Sequence, residues 1–108
     1  MSSKDILKQM ADKINIGGKD EILKDSKKIQ VTLSDAAPYY VVIGDAKVSL
    51  FDGTVENATS TIKSTDQILS DILTGKLNAF SAFMGGKVTV SGDLFYVQKL
   101  INSLTKAK

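Results

Sequence analysis

The spacing of apolar residues changes period several times along this chain, and that change constrains the fold more than any other feature. The first stretch has helical spacing, with apolar side chains at Ile6, Leu7, Met10 and Ile14. From about residue 28, apolar and polar residues alternate, as they do in a half-buried strand. After about residue 64 the helical spacing returns. Blocks of both periods within 108 residues predict a single α+β domain over residues 1–108.

Five stretches predict the strands of one sheet. They cover residues 28–33, 39–43, 46–50, 59–63 and 87–91. The first alternates between apolar and polar residues, which predicts one buried and one solvated face. The second is β-branched or aromatic on both faces, so it predicts a central strand that is at least partly covered on each side.

Four stretches predict helices, and three of them follow polar residues that can cap a helix. The first helix covers about residues 3–14. Ser64 and Gln67 have the spacing of a capping box at the start of the second. Asn78 and Asp93 are placed to cap the last two helices, because a short side-chain oxygen can accept from the free backbone N–H groups of the first turn.

The residue types that are absent exclude several kinds of chemistry. The chain contains no cysteine and no histidine, so thiolate nucleophiles, Ser-His pairs and Cys/His zinc sites are ruled out. All fourteen basic residues are lysines and the net charge is only +2, which argues against a dedicated nucleic-acid-binding protein. We therefore expect no nucleic acid partner, no metal and no cofactor.

An enzyme with this composition would have to use carboxylates, lysines and tyrosines. Tyr39, Tyr40 and Tyr96 could act with a carboxylate across a small apolar pocket. Half of the ten aspartates, however, fall at predicted turns and caps, where such side chains accept hydrogen bonds from the local backbone. These turn and cap aspartates are Asp35, Asp45, Asp52, Asp66 and Asp93. The pattern favours a non-enzymatic protein without catalytic residues.

The start of the chain predicts a cytoplasmic protein. Its first residues are charged and amphipathic, unlike the apolar segment of a secretory signal. No apolar run in the sequence approaches the length that spans a bilayer. The lack of cysteine means that nothing points to an oxidising compartment.

The last third of the chain carries more apolar surface than one face of a short sheet needs. Phe80, Phe83 and Met84 lie on a short helical stretch bounded by glycines, which is typical of a movable flap. Phe95 and Tyr96 lie off the main apolar stripe of the last helix, so a second apolar contact is expected there. Core packing explains many of these residues, and the surplus also fits an apolar ligand.

Two runs of this region resemble the C-terminal part of the sterol carrier protein type 2 domain. They are ILTGKLN at residues 72–78 and AFMGGKVTVSGD at residues 82–93. In that family a helix ending in Gly-Lys-Leu leads to an aromatic-bearing helix, a Gly-Lys strand, a Ser-Gly pair and a closing helix. Residues 39–43 and the strand after them resemble the family's hairpin. The resemblance implies a five-stranded mixed, mostly antiparallel sheet with helices packed on one side.

The same resemblance implies a hydrophobic cavity between the sheet and the C-terminal helices. The residues that it places in the cavity wall are Phe80, Phe83, Met84, Leu94, Val97, Ile101 and Leu104. It implies no catalytic residue and no cofactor. The predicted function is non-catalytic binding or transfer of a fatty acid, a fatty acyl-CoA or a sterol-like lipid, with transient contact to a membrane.

An alternative interpretation of the same apolar surface is a protein-interaction or dimerisation module. Such a module would be an accessory to a lipid-pathway enzyme complex, and it would bind a partner helix or form a homodimer instead of retaining lipid. The absence of arginine also bears on the ligand, since no bidentate clamp for the phosphates of coenzyme A is available. This counts against the acyl-CoA form of the lipid.

Overall fold

Helices and strands alternate in blocks, as the period changes in the sequence indicate. The computed structural model describes residues 1–107, and Lys108 lies outside the described part of the chain. In chain order the elements are α1 (Ser3–Gly17), a 3-10 helix (Glu21–Lys24), β1 (Lys27–Leu33), β2 (Tyr39–Gly44), β3 (Lys47–Asp52), β4 (Ser60–Ser64), α2 (Asp66–Leu73), α3 (Ala79–Met84), β5 (Thr89–Gly92) and α4 (Leu94–Ala107).

The strands form one mixed sheet in the order β3-β2-β1-β4-β5. β1 pairs parallel with β4, where Val31 is aligned with Ile62, and antiparallel with β2, where Ile29 is aligned with Val41. The β2-β3 and β4-β5 pairs are antiparallel. The predicted fold class is therefore confirmed: an α+β domain with a five-stranded, mostly antiparallel sheet.

One face of this sheet is apolar and faces the helices. Its side chains alternate along the strands and are almost inaccessible to solvent; they include Ile29, Val31, Tyr39, Val41, Ile43, Val48 and Ile62. α1 packs on β3, α2 and α4, while α4 also contacts β4 and β5. The hydrophobic core lies between these two layers, because burying both apolar faces removes them from water together.

The opposite face of the sheet is partly covered by a loop. Gln30 points to this side and is buried, with its Nε2 donating to the carbonyl oxygen of Gly53 and its Oε1 accepting from the backbone N–H of Val55. Tyr40 stacks on Phe51 beside it, with ring centroids 5.4 Å apart. This partial cover explains why β2 is apolar on both faces, as the sequence predicts.

The caps predicted at Asn78 and Asp93 are confirmed. Asn78 Oδ1 accepts from the backbone N–H of Ser81, and Asp93 Oδ1 accepts from that of Tyr96, both at 3.0 Å. Each cap satisfies a backbone donor that the helix itself leaves free. The two caps fix where α3 and α4 begin.

The cap of α2 lies one residue later than the sequence pattern predicts. Thr65 Oγ1 accepts from the backbone N–H of Ile68, whereas the Ser64 hydroxyl donates to the Thr65 carbonyl oxygen. Gln67 donates to Asp71 instead of reaching back. The capping-box interpretation of Ser64 and Gln67 is therefore wrong. Ser64 is the last residue of β4, so pairing with β1 keeps it in the sheet.

α1 continues to Gly17, about one turn beyond the predicted end. The extra turn carries Asn15, whose side chain donates to the carbonyl oxygen of Val48 and accepts from its backbone N–H, both at 2.8 Å. Val48 lies on the edge strand β3, so Asn15 satisfies backbone groups that no further strand pairs. Gly18 then ends the helix in the left-handed region with φ +67°.

A buried polar cluster joins the start of α1 to the sheet and to α2. The backbone N–H and the hydroxyl of Ser3 both donate to Asp66 Oδ1, at 3.0 and 2.7 Å, and Ser3 Oγ lies 2.8 Å from Tyr39 Oη. Burial raises the pKa of Tyr39 to about 12, while the hydrogen bond to Ser3 opposes the rise and the charge of Asp66 adds to it.

The raised pKa of Tyr39 predicts a loss of stability in alkali. Below pH 10 the tyrosine is protonated in both the folded and the unfolded chain. Between pH 10 and about 12 the unfolded chain releases this proton and the folded chain keeps it, so the free energy of unfolding falls by about 3 kcal/mol in total. Urea denaturation at pH 9 and pH 11.5 should show a smaller fall for Tyr39→Phe than for the wild type. Equal falls in both proteins would contradict this assignment.

Candidate functional site

The candidate site is the region where α3, β5 and α4 meet the sheet. α4 turns one stripe of apolar side chains into the core, with Val97, Leu100 and Leu104 almost fully buried. Its spacing of three and four residues is that of an amphipathic helix that covers a sheet. The position of α4 over β4 and β5 makes it one wall of any space between the helical layer and the sheet.

The seven residues that the sequence predicts for ligand contact lie in three environments. Val97 and Leu104 are buried in the core. Phe83 and Ile101 are half-buried and pack against it. The other three, Phe80, Met84 and Leu94, are exposed. The folded chain therefore brings four of the seven to the core and leaves three at the surface; their role in ligand binding stays a prediction.

α3 has an unusual orientation, with its small residue inside and its large residues outside. Ala82 is 0% exposed, whereas Phe80 and Met84 are 69% and 67% exposed. Residues four apart share one side of a helix and the residue halfway between them lies opposite. An apolar helix at the surface of a domain normally has the reverse arrangement.

α3 is also weakly held. Its C-terminal end is closed by the backbone N–H groups of Lys87 and Val88, which donate to the carbonyl oxygen of Ala82. These bonds keep both residues out of the fifth strand, which therefore begins at Thr89 and not at residue 87 as predicted. Within residues 1–107, no side-chain hydrogen bond joins α3 to another helix or strand. Gly86, which follows it, has φ +75°, a conformation that favours glycine.

α4, in contrast, is held by a polar cluster. Asp25, just before β1, accepts from the Tyr96 hydroxyl at 2.9 Å and from Lys99 Nζ at 3.0 Å. Near the other end of the helix, the Ser103 hydroxyl donates to Asp20 Oδ1 at 2.9 Å. These bonds fix α4 against the segment around the 3-10 helix, whereas α3 is held by the packing of Ala82 and Phe83 and by backbone hydrogen bonds.

The charges in this cluster favour its ionised form. Burial pushes the pKa of Asp25 upward, but the hydrogen bonds from Lys99 and Tyr96 and the charges of Lys99 and Lys27 outweigh it, so the pKa is lowered. The hydrogen bond to Asp25 raises the pKa of Lys99. Burial and the neighbouring carboxylate raise the pKa of Tyr96. The hydrogen bond between Tyr96 and Asp25 joins α4 to the segment before β1.

Sequence reasoning missed both polar clusters. The pairs Ser3–Asp66 and Tyr96–Asp25 are 63 and 71 residues apart, so no local pattern connects them. Of the three candidate tyrosines, Tyr96 contacts a carboxylate directly, that of Asp25, whereas the Tyr39 hydroxyl contacts the Ser3 hydroxyl, which in turn donates to Asp66. Both tyrosines link secondary-structure elements. Tyr40, the third candidate, stacks on Phe51 at the opposite face of the sheet.

The space between sheet and helices is occupied by the protein's own side chains, which form one continuous apolar cluster. Two open grooves of about 400 Å³ each lie elsewhere on the surface. The first is lined by Glu21, Phe95, Gln98, Lys99, Asn102, Ser103 and Lys106. The second is lined by Met1, Ile6, Gln9, Met10, Lys13 and Thr74. Neither groove is lined by a residue of the predicted set, so a ligand that contacts its buried members, Val97 and Leu104, has to open the core.

A mixed five-stranded sheet covered on one side by helices, with an apolar core between the layers, defines an α+β domain. The model of the SCP-2 sterol transfer family matches residues 6–105. The chain belongs to this family, as the resemblance in its last third predicts. No helix within residues 1–107 combines the length and the apolar character needed to cross a membrane.

Solved structures of low sequence identity share the fold. A structure described as the ubiquinone synthesis protein UbiJ-SCP2 is 14% identical with a TM-score of 0.77, and the match covers 97% of this chain and 89% of that one. Sterol carrier protein 2 from Yarrowia lipolytica, in its apo form, is 21% identical with a TM-score of 0.75, covering 94% and 88%. Palmitated SCP2L2 from Aedes aegypti is 21% identical with a TM-score of 0.72, covering 96% and 95%. A search of curated proteins gives no match.

Proposed function

We propose that this protein binds one apolar lipid, such as a fatty acid, between its sheet and its C-terminal helices and carries it in the cytoplasm without chemical change. The observation that carries the proposal is membership of the SCP-2 sterol transfer family. A relative with the same fold, from Aedes aegypti, is described as palmitated. The lack of histidine and cysteine fits a carrier, since the usual general bases and nucleophiles are missing.

The ligand enters, in this proposal, by displacing α3. The core is filled in the described conformation, so room for a lipid requires one element to move away from the sheet. α3 is the natural candidate because its side chains make no hydrogen bond to another element within residues 1–107. Gly75 and Gly86 on either side both have positive φ values, 82° and 75°, and can serve as hinges.

The predicted contact residues then divide into a wall and a rim. The wall consists of the four residues that already pack against or within the core: Phe83, Val97, Ile101 and Leu104. The rim consists of the three exposed ones, Phe80, Met84 and Leu94. An apolar wall of this kind discriminates lipids by their length and bulk and only weakly by their chemical identity, so we expect the protein to bind several kinds of lipid.

The energetics suit reversible binding. A chain of about sixteen carbons gains on the order of 12 kcal/mol when its methylenes leave water. Losses of translational freedom and the ordering of side chains oppose this by roughly 4 to 15 kcal/mol. A dissociation constant in the micromolar region is therefore expected, which suits a carrier that must also release its ligand.

Phe83→Trp is expected to weaken the binding of a fluorescent C16 fatty acid about tenfold. The larger indole takes up space that the ligand needs, and overpacking of this kind costs roughly 1 to 3 kcal/mol. The measurement is a titration of the probe in the absence of membranes. Phe95→Trp is the matched control, because Phe95 is 83% exposed and lies outside the wall and the rim. Unchanged binding in Phe83→Trp would remove Phe83 from the wall.

A second function is favoured by the match with the ubiquinone synthesis protein and by the exposed apolar residues of α3. The protein would then be an interaction or dimerisation module in a lipid-pathway enzyme complex. Native mass spectrometry of freshly purified protein separates the two proposals. A retained lipid supports the carrier. A lipid-free protein that also fails to bind the fatty-acid probe rejects the carrier and leaves the module.

A further inference from the structure

The outer side of α3 presents large apolar side chains to solvent next to lysines. We define the α3 face as Phe80 and Met84 together with Lys76 and Lys87, which flank the helix and are exposed. Two bulky apolar residues that are each about two-thirds exposed and lie one turn apart are costly to leave in water. Exposed apolar patches with a polar border commonly mark a binding surface.

The chain segment that carries this face has charges of one sign only. Lys76 and Lys87 are the only charged side chains between residues 72 and 92. Asp71, which precedes this stretch, accepts a hydrogen bond from the side chain of Gln67 at 2.9 Å. A short apolar helix between two lysines fits a surface that has an apolar interior beneath a layer of anionic groups. The lysine stems can lie along acyl chains while their ammonium groups stay among the headgroups.

A second copy of this chain fits the α3 face poorly. In a twofold dimer the face would meet itself, so Lys76 and Lys87 of both copies would come together, and residues 72–92 supply no carboxylate to compensate them. α3 has six residues and is therefore only about 9 Å long. So short a helix cannot by itself bury the roughly 800 Å² per partner that a stable dimer needs.

We propose that the α3 face docks this protein reversibly on an anionic lipid bilayer. Phe80 and Met84 enter the boundary between headgroups and acyl chains, and the two lysines attract anionic headgroups. The inference rests on the proposed carrier function, because a carrier has to meet a membrane to exchange its ligand. It deepens that function by assigning the surface that docks and the charge of the lipid that it meets.

The test is co-sedimentation of the full chain with vesicles of phosphatidylcholine alone or mixed with phosphatidylserine. The wild type should bind the mixed vesicles and bind neutral ones far more weakly. Phe80→Ser should weaken binding to mixed vesicles at least about tenfold. The double variant Lys76→Gln/Lys87→Gln should weaken it roughly 25-fold at low salt, about fivefold for each lysine. These side chains are exposed, and thermal unfolding will verify that each variant folds.

Ile16→Ser is the matched control. Ile16 is 86% exposed, so the change removes a comparable apolar side chain. It follows Asn15, which contacts the edge strand β3, at the opposite end of the sheet from β5. Vesicle binding should stay at the wild-type level in this variant. An equal loss of vesicle binding in Ile16→Ser and Phe80→Ser would mean that non-specific hydrophobic adsorption, and not the α3 face, holds the protein on vesicles.

Two further results would overturn the proposal. One is a wild-type protein that does not bind the mixed vesicles. The other is a wild-type dimer in size-exclusion chromatography that Phe80→Ser converts to a monomer, which would assign the face to self-association.

The fatty-acid titration without vesicles distinguishes the carrier proposal from the docking proposal. The double lysine variant should bind the probe normally if only docking depends on the lysines. Vesicle binding in a wild type that takes up no probe would reject the carrier and keep the docking face.

Discussion

Replacement of Gly92 by alanine is expected to lower the free energy of unfolding by at least about 3 kcal/mol. Gly92 has φ +87°, where an L side chain is strained by roughly 1 to 2 kcal/mol. A Cβ atom here would also lie 2.4 Å from the carbonyl oxygen of Thr59 and 3.0 Å from the Cα atom of Ser60. Both are backbone atoms and cannot turn aside, so β5 would have to separate from β4. Urea denaturation followed by circular dichroism measures the loss.

Gly86→Ala is the matched control for this experiment. Gly86 also has a positive φ, 75°, but a Cβ atom there meets nothing within 4 Å. Its substitution should therefore show only the cost of the positive φ, roughly 1 to 2 kcal/mol. The difference between the two variants isolates the collision with β4. If Gly92→Ala costs no more than Gly86→Ala, then β5 is not held as tightly against Thr59 as these distances require.

The strands and the helix caps could be predicted because their signals are local. In β1, Ile29, Val31 and Leu33 alternate with polar residues, and all three are buried. Asn78 and Asp93 each precede an apolar helical stretch, and each caps the helix that follows. A cap or a strand face depends on a few neighbouring residues, so the sequence contains most of what is needed. Ser64 and Thr65 show the limit of such predictions. Both are hydroxyl residues that could cap α2, and only the pairing of Ser64 with β1 leaves Thr65 as the cap.

The orientation of α3 could not be predicted from its apolar residues. The family resemblance places Phe80, Phe83 and Met84 in the wall of a cavity, yet Ala82 occupies the inner side and only Phe83 of the three is half-buried. A helix of six residues has less than two turns, so one side can bury a single position closely. Ala82 brings the backbone of α3 near the core, and the larger residues are then left outside. This depends on the shape of the finished core and not on the local pattern.

The polar contacts that hold the helical layer could not be predicted for a different reason. Asp25, Tyr96 and Lys99 meet only once β1 and α4 are placed side by side. Their separation in sequence gives no periodic signal. Aspartate before a strand and tyrosine in a first helical turn are both ordinary surface residues. Contacts of this kind depend on how the helices and strands are arranged in space. That arrangement is determined by packing of the whole core and not by any local sequence pattern.

The second large effect that we predict is for Leu100→Ala, which should destabilise the protein and strengthen its binding of a fatty acid. Leu100 is 2% exposed and lies on the inner stripe of α4, between Val97 and Leu104 of the proposed wall. Loss of a buried leucine side chain costs roughly 2 to 5 kcal/mol, because it removes apolar contacts and leaves a void. That void is apolar and is therefore expected to stay dry and available to an apolar guest.

The gain in affinity follows from the filled core of the wild type. A lipid that enters the wild type must first displace packed side chains, whereas in Leu100→Ala part of the space already exists. Palmitate should therefore raise the melting temperature of Leu100→Ala by more than it raises that of the wild type.

Leu7→Ala is the control, since Leu7 is also an almost fully buried leucine but belongs to α1. It should lose similar stability and gain less affinity, because its void opens at α1 and not on the inner stripe of α4. Weaker palmitate binding by Leu100→Ala would mean that the ligand does not lie against α4, since a guest at that wall can only benefit from room that is already open.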